Sequence, residues 1–201
     1  MTGVQTCALP IYAVSVMFAD IAGFTALSSR TSPEALVTML NELFSLFDGL
    51  AEQHGLEKIK TIGDAYMVAS GLPEPRTDHA PAMAEMALDM QARIGELSQL
   101  LGVDLALRIG IDSGPVTAGV IGRHKFTYDL WGDTVNTASR MESHGVAGRI
   151  QVSEATFRKL RGTYEFEARG EIDIKGKGRL LAYLLVGPRA AGPGGTVALP
   201  E

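Results

Sequence analysis

Apolar residues alternate along residues 14–18, which predicts a buried strand that ends at Asp20. Residues 56–71 predict a β-hairpin, with its turn at Gly63-Asp64 and its returning strand at residues 65–70. If the first strand and the returning strand lie side by side and antiparallel, the end of one meets the start of the other. Asp20 and Asp64 would then converge at one edge of a sheet.

Helical spacing of apolar residues predicts two long helices around this hairpin. The first begins at Ser32-Pro33, an N-cap followed by proline at the first helical position, and ends near His54-Gly55. The second covers about residues 78–100, with methionines on its core-facing side. A half-buried strand follows at residues 105–111, and Ser113-Gly114-Pro115 predicts a turn into another strand at residues 116–121.

The resulting order, β-α-β-β-α-β, predicts an α+β fold with a ferredoxin-like core, in which two helices pack on an antiparallel sheet. This topology also places the first and third strands next to each other, which supports the convergence of Asp20 and Asp64. The remaining sequence predicts a C-terminal α/β extension. Its elements are a helix at 134–143, a strand at 149–152, a helix capped by Ser153, and strands at 166–174 and 180–186.

Composition and charge narrow the class of protein. A chain of 201 residues with 46% hydrophobic and 20% charged residues suits one globular domain. A net charge of −5 argues against nucleic acid as a partner. The apolar run at residues 180–186 is too short to span a bilayer, and no signal peptide is evident. The single cysteine, Cys7, cannot form an internal disulfide, so we expect a cytoplasmic location.

Residues 1–11 carry a separate hypothesis. They show no periodicity and can be back-translated into a common sequencing-adapter read opened by a GTG start codon. We therefore expect that this segment is not native, and that the parent protein extends upstream of Tyr12, with room for a sensor or a membrane domain. At the other end, we expect residues 188–201, rich in Gly and Pro, to be disordered.

Several polar residues in these elements can be interpreted either as functional residues or as ordinary structural ones. Two carboxylates at one sheet edge suit Mg²⁺ or Mn²⁺ with open positions for phosphate oxygens, but an Asp beside a Gly is also an ordinary turn residue. Asn136 and Arg140 share one face of a predicted helix, which is also the pattern of a solvated face. The same holds for the Lys-Gly-Lys-Gly stretch at 175–178 and for Lys60 on its strand.

Several motifs together resemble the catalytic domain of the class III nucleotidyl cyclases, the family that makes cyclic AMP or cyclic GMP. The segments that carry the resemblance are residues 18–25, 58–67, 108–122, 128–143 and 169–178. They follow a consistent order, and the most specific is Trp-Gly-Asp-Thr-Val-Asn-Thr-Ala-Ser-Arg-Met at residues 131–141. The resemblance implies one catalytic domain over residues 12–187.

The resemblance also implies a metal site and catalytic residues. Asp20 and Asp64, helped by the backbone carbonyl of Ile21, would hold two Mg²⁺ or Mn²⁺ ions. Arg140 would stabilise charge on the α-phosphate while the ribose 3′-oxygen attacks, and Asn136 would orient the ribose.

The resemblance also implies which residues contact the substrate. Lys175 would contact the terminal phosphates, with Lys177 as the alternative. Lys60 and Asp129 would face the purine, where they match the N1 acceptor and the 6-amino donor of adenine. Guanine sites of the family typically have Glu and Cys there, so the resemblance implies an adenylate cyclase that uses ATP.

The family architecture implies a head-to-tail homodimer with shared sites, in which a monomer is inactive and residues 123–128 form either an interface arm or a hairpin loop. Three other functions stay open. They are a guanylate cyclase, a nucleotide-binding regulatory module without turnover, and a phosphotransferase with a polymerase-palm-like site.

Overall fold

The computed structural model describes residues 8–121, 127–174 and 176–190. In chain order, its elements are β1 Ala8–Ile21, α1 Phe24–Ser28, α2 Pro33–His54, β2 Glu57–Ile62, β3 Ala65–Ser70, α3 His79–Leu101, β4 Leu107–Ile121, β5 Thr127–Trp131, α4 Asp133–Ser143, β6 Arg149–Ser153, α5 Glu154–Leu160, β7 Tyr164–Ile174 and β8 Gly178–Pro188. In this part of the chain the strands form one eight-stranded sheet in the order β2-β3-β1-β4-β6-β8-β7, and β5 pairs with β4 outside that path.

The ferredoxin-like core is confirmed. Strand β1 pairs antiparallel with β3 and β4, so the four core strands lie in the order β2-β3-β1-β4. Ala19 lies opposite Tyr66, which brings the end of β1 to the start of β3. The predicted α+β class and the antiparallel neighbours β1 and β3 are therefore both found.

Local sequence signals set the boundaries of the long helices. The Ser32 hydroxyl accepts a hydrogen bond from the Ala35 N–H (3.3 Å), and Gly55 ends α2 in the left-handed conformation with φ of 65°. Helix α3 packs its methionines into the core, as predicted, because the side chains of Met83, Met86 and Met90 are fully buried.

The predicted turn at Ser113-Gly114-Pro115 is wrong, because β4 runs through it without interruption. The register of β1 against β4 shifts between Ile11 and Val14, so two residues of β1 face Pro115 alone. A bulge of this kind accommodates a residue that has no N–H to donate. The short helix α1 and strand β5 were also not predicted.

The ends of the described chain differ in part from the expected boundaries. Strand β1 begins at Ala8 rather than near Tyr12, and residues 8–11 pair with residues 116–119 of β4. After β8, the Arg189 N–H donates to the Thr163 carbonyl (2.8 Å). Cys7 and residues 191–201 lie outside the described residues, and the adapter origin of residues 1–11 stays a prediction. None of the described helices has the length and apolar character needed to cross a bilayer.

Helix α4 is attached to the sheet at both of its ends. At its start, the Thr134 hydroxyl donates to the Pro115 carbonyl (2.7 Å). Near its end, the backbone approaches Gly110 so closely that a Cβ built there would lie 1.9 Å from the Glu142 nitrogen. The position of α4 on β4 therefore depends on a glycine at residue 110.

Candidate active site

Two carboxylates meet where β1 ends and the β2–β3 hairpin turns. Asp20 is half-buried at the end of β1, and Asp64 lies in the turn before β3. Burial of the Asp20 carboxyl, followed by the negative charge of neighbouring Asp64, raises its pKa from 3.8 to about 7. Ile21, the last residue of β1, has a buried side chain that holds the strand end in the core. The structure thus brings together the three residues predicted to form a metal site.

Arg108 joins this pair, although it was not predicted to belong to the site. It lies opposite Asp20 in the β1–β4 ladder, and its Nη2 donates to the Asp20 carboxylate (2.8 Å). Its Nε donates to the Glu142 carboxylate of α4 (2.7 Å). A sequence signal was present, since Arg108 is the one charged residue of the strand predicted at 105–111 and lies on the face opposite its apolar residues.

The charge balance at this edge favours a cation. Asp20, Asp64 and Glu142 place three carboxylates around the single guanidinium of Arg108. Carboxylate oxygens are the ligands that Mg²⁺ prefers, and Mg²⁺ usually keeps positions for water and substrate phosphates. The described residues contain no group of three or more His, Cys, Asp or Glu side chains arranged to hold a metal ion. Asp20 and Asp64 supply two carboxylates, so a divalent ion held here would take its other ligands from further oxygen atoms.

The two residues predicted to face the purine lie side by side in one chain. The Lys60 ammonium of β2 donates to the Asp129 carboxylate of β5 (2.5 Å). The other carboxylate oxygen of Asp129 accepts the Leu130 N–H (2.8 Å), which fixes its orientation. These side chains are 35% and 16% exposed, so they form a partly desolvated pair of opposite charges.

Asn136 and Arg140 lie on the exposed face of α4. The face that packs on the sheet consists of Thr134, Thr137, Ala138, Met141 and Glu142. At 100° per residue, Arg140 is displaced about 160° around the helix from Glu142. Within the described ranges, neither the Asn136 nor the Arg140 side chain makes a hydrogen bond or an ion pair. The same helix thus directs Glu142 toward its own carboxylate site and directs Asn136 and Arg140 away from it.

The structure describes only one of the two candidate phosphate-binding lysines. Lys175 lies outside the described residues. Lys177 donates to the Thr137 hydroxyl (2.5 Å) and forms an ion pair with Asp133, at the start of α4. Residues 123–126 of the predicted interface arm also lie outside the described ranges, while Thr127 and Tyr128 begin β5.

A ferredoxin-like core with two aspartates converging at a sheet edge, and an Asn-Arg pair on a nearby helix, is the arrangement that the resemblance to the nucleotidyl cyclase catalytic domain implied. The chain belongs to the family described as "Adenylate and Guanylate cyclase catalytic domain", whose model matches residues 8–187. The predicted resemblance to the class III cyclases is therefore confirmed.

Known relatives include cyclases of both substrate types. The chain is 49% identical over 183 residues to "Adenylate cyclase" of Mycobacterium tuberculosis, covering 91% of this chain and 41% of the relative. It is 46% identical over 186 residues to human "Atrial natriuretic peptide receptor 2", covering 90% of this chain and 18% of the receptor. The crystal structure of the guanylate cyclase domain of RhGC from Catenaria anguillulae in complex with GTP matches with a TM-score of 0.86 and 39% identity, covering 90% of this chain and all of that one. The chain thus spans less than half the length of these two curated relatives.

Proposed function

We propose that this domain is an adenylate cyclase that converts ATP to 3′,5′-cyclic AMP and pyrophosphate. The observation that carries this proposal is the Lys60–Asp129 pair. At N1, adenine accepts and guanine donates; at the 6-position, adenine donates and guanine accepts. A lysine facing N1 and an aspartate facing the 6-position therefore match adenine at both atoms.

Guanine in the same orientation would place its N1–H against the Lys60 ammonium and its O6 against the Asp129 carboxylate. Each mismatch sets two donors or two acceptors against each other and forfeits a hydrogen bond between the base and a charged group, which is worth on the order of 1.5–3 kcal/mol. The adenylate cyclase of Mycobacterium tuberculosis agrees with the adenine assignment. Guanylate cyclase is the second candidate function, because the chain is also similar to the GTP-bound guanylate cyclase domain of RhGC.

The purified domain is expected to prefer ATP over GTP at least ten-fold, which corresponds to about 1.4 kcal/mol of differential transition-state stabilisation. The measurement is incubation with each nucleotide and Mn²⁺, followed by chromatographic identification of the cyclic product. Lys60→Glu combined with Asp129→Cys should shift the preference toward GTP. Lys58→Glu, on the same strand but paired with Asp48, is the matched control and should leave the preference unchanged. Equal turnover of ATP and GTP by the wild type would refute the assignment.

We further propose that Asp20, Asp64 and the Ile21 carbonyl hold two Mg²⁺ or Mn²⁺ ions. When bound, such ions stabilise charge on the attacking and leaving oxygens of a phosphoryl transfer. Arg108 holds Asp20 in place, and two of its five N–H groups are used by Asp20 and Glu142. The Arg108 side chain is 30% exposed beside the carboxylates. Its remaining N–H groups therefore suit phosphate oxygens of the nucleotide.

Asn136 and Arg140 complete the proposed reaction from a second protomer. Their exposed face of α4 is turned away from the carboxylates of their own chain, which supports a head-to-tail homodimer with shared sites. There, Arg140 would stabilise negative charge on the α-phosphate and Asn136 would orient the ribose. Lys175 is proposed to contact the terminal phosphates.

Stabilisation of the protein by Mn²⁺ is expected to be larger at pH 8 than at pH 6. The pKa of Asp20 is raised from 3.8 to about 7 in the folded protein, so folding favours the protonated carboxyl. The stability that this proton contributes is fully present below pH 3.8 and is lost as the pH rises through about 7. A cation replaces the lost proton, so its effect grows over the same range. The measurement is the shift in melting temperature on adding Mn²⁺ at the two pH values. Asp20→Asn should lose this pH dependence, and equal shifts in the wild type would contradict the prediction.

A further inference from the structure

Lys177 lies in the tight turn between β7 and β8, where its N–H donates to the Ile174 carbonyl (2.9 Å). Gly176 and Gly178 on either side have positive φ angles of 86° and 75°, which only glycine adopts readily. The turn directs the Lys177 side chain onto α4, and only 22% of that side chain is exposed. The lysine is therefore part of a contact between two elements and not a solvated charge.

The Lys177 ammonium faces three acceptors in the first turns of α4. They are the Asp133 carboxylate, the Thr137 hydroxyl (2.5 Å) and, more distantly, the Asp133 carbonyl (3.4 Å). The Thr137 hydroxyl donates its own hydrogen to the Asp133 carbonyl (2.9 Å), which leaves a lone pair for Lys177. An ammonium has three N–H groups, so this arrangement uses its donors without a phosphate.

Lys177 contacts Asp133 and Thr137, which lie on either side of Asn136 in the sequence of α4. On its sheet side, α4 is attached to Pro115 through Thr134, to Arg108 through Glu142, and to Gln151, whose side-chain N–H donates to the Met141 carbonyl (2.9 Å). Lys177 adds a contact from the β7–β8 turn, which also contains Lys175. The turn thus adds to the sheet contacts a further contact beside the helix face that carries Asn136 and Arg140.

We propose that Lys177 is a positioning residue that ties the β7–β8 turn to α4, and that it is not a ligand of the triphosphate. Its effect on the reaction rests on the proposed cyclase function, whereas the tie itself does not. A displacement of catalytic groups by about 1 Å can cost on the order of 10²-fold in rate, so loosening this tie acts on turnover.

The test compares Lys177→Met, Asp133→Asn and the double variant, with Arg179→Met as the matched control. Arg179 is on the same hairpin and pairs with Glu171 at the surface, so its loss should change nothing measured here. We expect each single variant to lower kcat about ten-fold with little change in KM for ATP or in inhibition by pyrophosphate. The double variant should be no slower than Lys177→Met alone, because Lys177→Met already removes the ion pair that Asp133→Asn breaks.

Melting temperatures of the same four proteins test the tie without reference to catalysis. The double variant should lose no more than the larger single loss, even if no cyclic nucleotide is formed by any of them. The proposal is overturned if Lys177→Met raises KM for ATP and weakens pyrophosphate inhibition while Asp133→Asn does neither. It is also overturned if the losses in melting temperature add, or if kcat is unchanged in both single variants.

Discussion

Mixing Asp64→Ala protein with Arg140→Ala protein is expected to restore about a quarter of wild-type activity, although each variant alone is inactive. Asp64→Ala removes a carboxylate of the metal site but keeps Asn136 and Arg140 for its partner. Arg140→Ala has the reverse defect. In a shared-site dimer, the mixed pair therefore contains one wild-type site and one site with both defects.

The expected fraction follows from counting. Random pairing of equal amounts makes roughly half of all dimers mixed, and each mixed dimer has one working site of two. The measurement is the rate of cyclic AMP formation after subunit exchange has been demonstrated by native mass spectrometry. A mixture that stays inactive after exchange would rule out a site shared between protomers.

A second pairing serves as the control. Asp20→Ala and Asp64→Ala both damage the carboxylate half, so their mixed dimer has no intact site and should stay inactive. Neither change removes core volume, since both side chains lie partly exposed at the sheet edge. Both variants should therefore keep their fold, whereas unfolding at room temperature would favour the interpretation of these residues as structural turn residues.

Replacing Gly110 by alanine is expected to destabilise the domain by at least about 3 kcal/mol and to abolish activity. The new Cβ would lie 1.9 Å from the Glu142 nitrogen and 2.5 Å from its Cα, both of them backbone atoms that no rotamer change can move. Helix α4 would have to shift away from β4. Such a shift separates Arg108 from Glu142 and displaces Asn136 and Arg140.

Urea unfolding measures this loss directly. The matched controls are Gly49→Ala in α2 and Gly95→Ala in α3, where an added Cβ meets no atom within 4 Å. These changes should stabilise the protein by about 0.5–1 kcal/mol, because alanine favours the helix over the unfolded chain. Wild-type stability of Gly110→Ala would show that α4 does not pack on β4 as closely as the structure has it.

Signals that act over a few residues determined much of the fold from the sequence. Ser32-Pro33 and Gly55 set the ends of α2 because capping depends on one side chain and a few neighbouring backbone groups. The order of strands and helices also determined that β1 and β3 are neighbours, since few topologies accommodate that order. That adjacency was sufficient to predict that Asp20 and Asp64 converge.

The tertiary structure alone decided the features that depend on a distant partner. Ser113-Gly114-Pro115 has the composition of a turn but continues β4, because a bulge in β1 accommodates the proline. Arg108 belongs to the carboxylate site because the ladder places it opposite Asp20, 88 residues away in sequence. The sequence does not distinguish the role of Lys175 from that of Lys177. Only the packing of α4 against the hairpin gives Lys177 its acceptors. Local propensity contains no information about such contacts, because each requires a second element to be in position first.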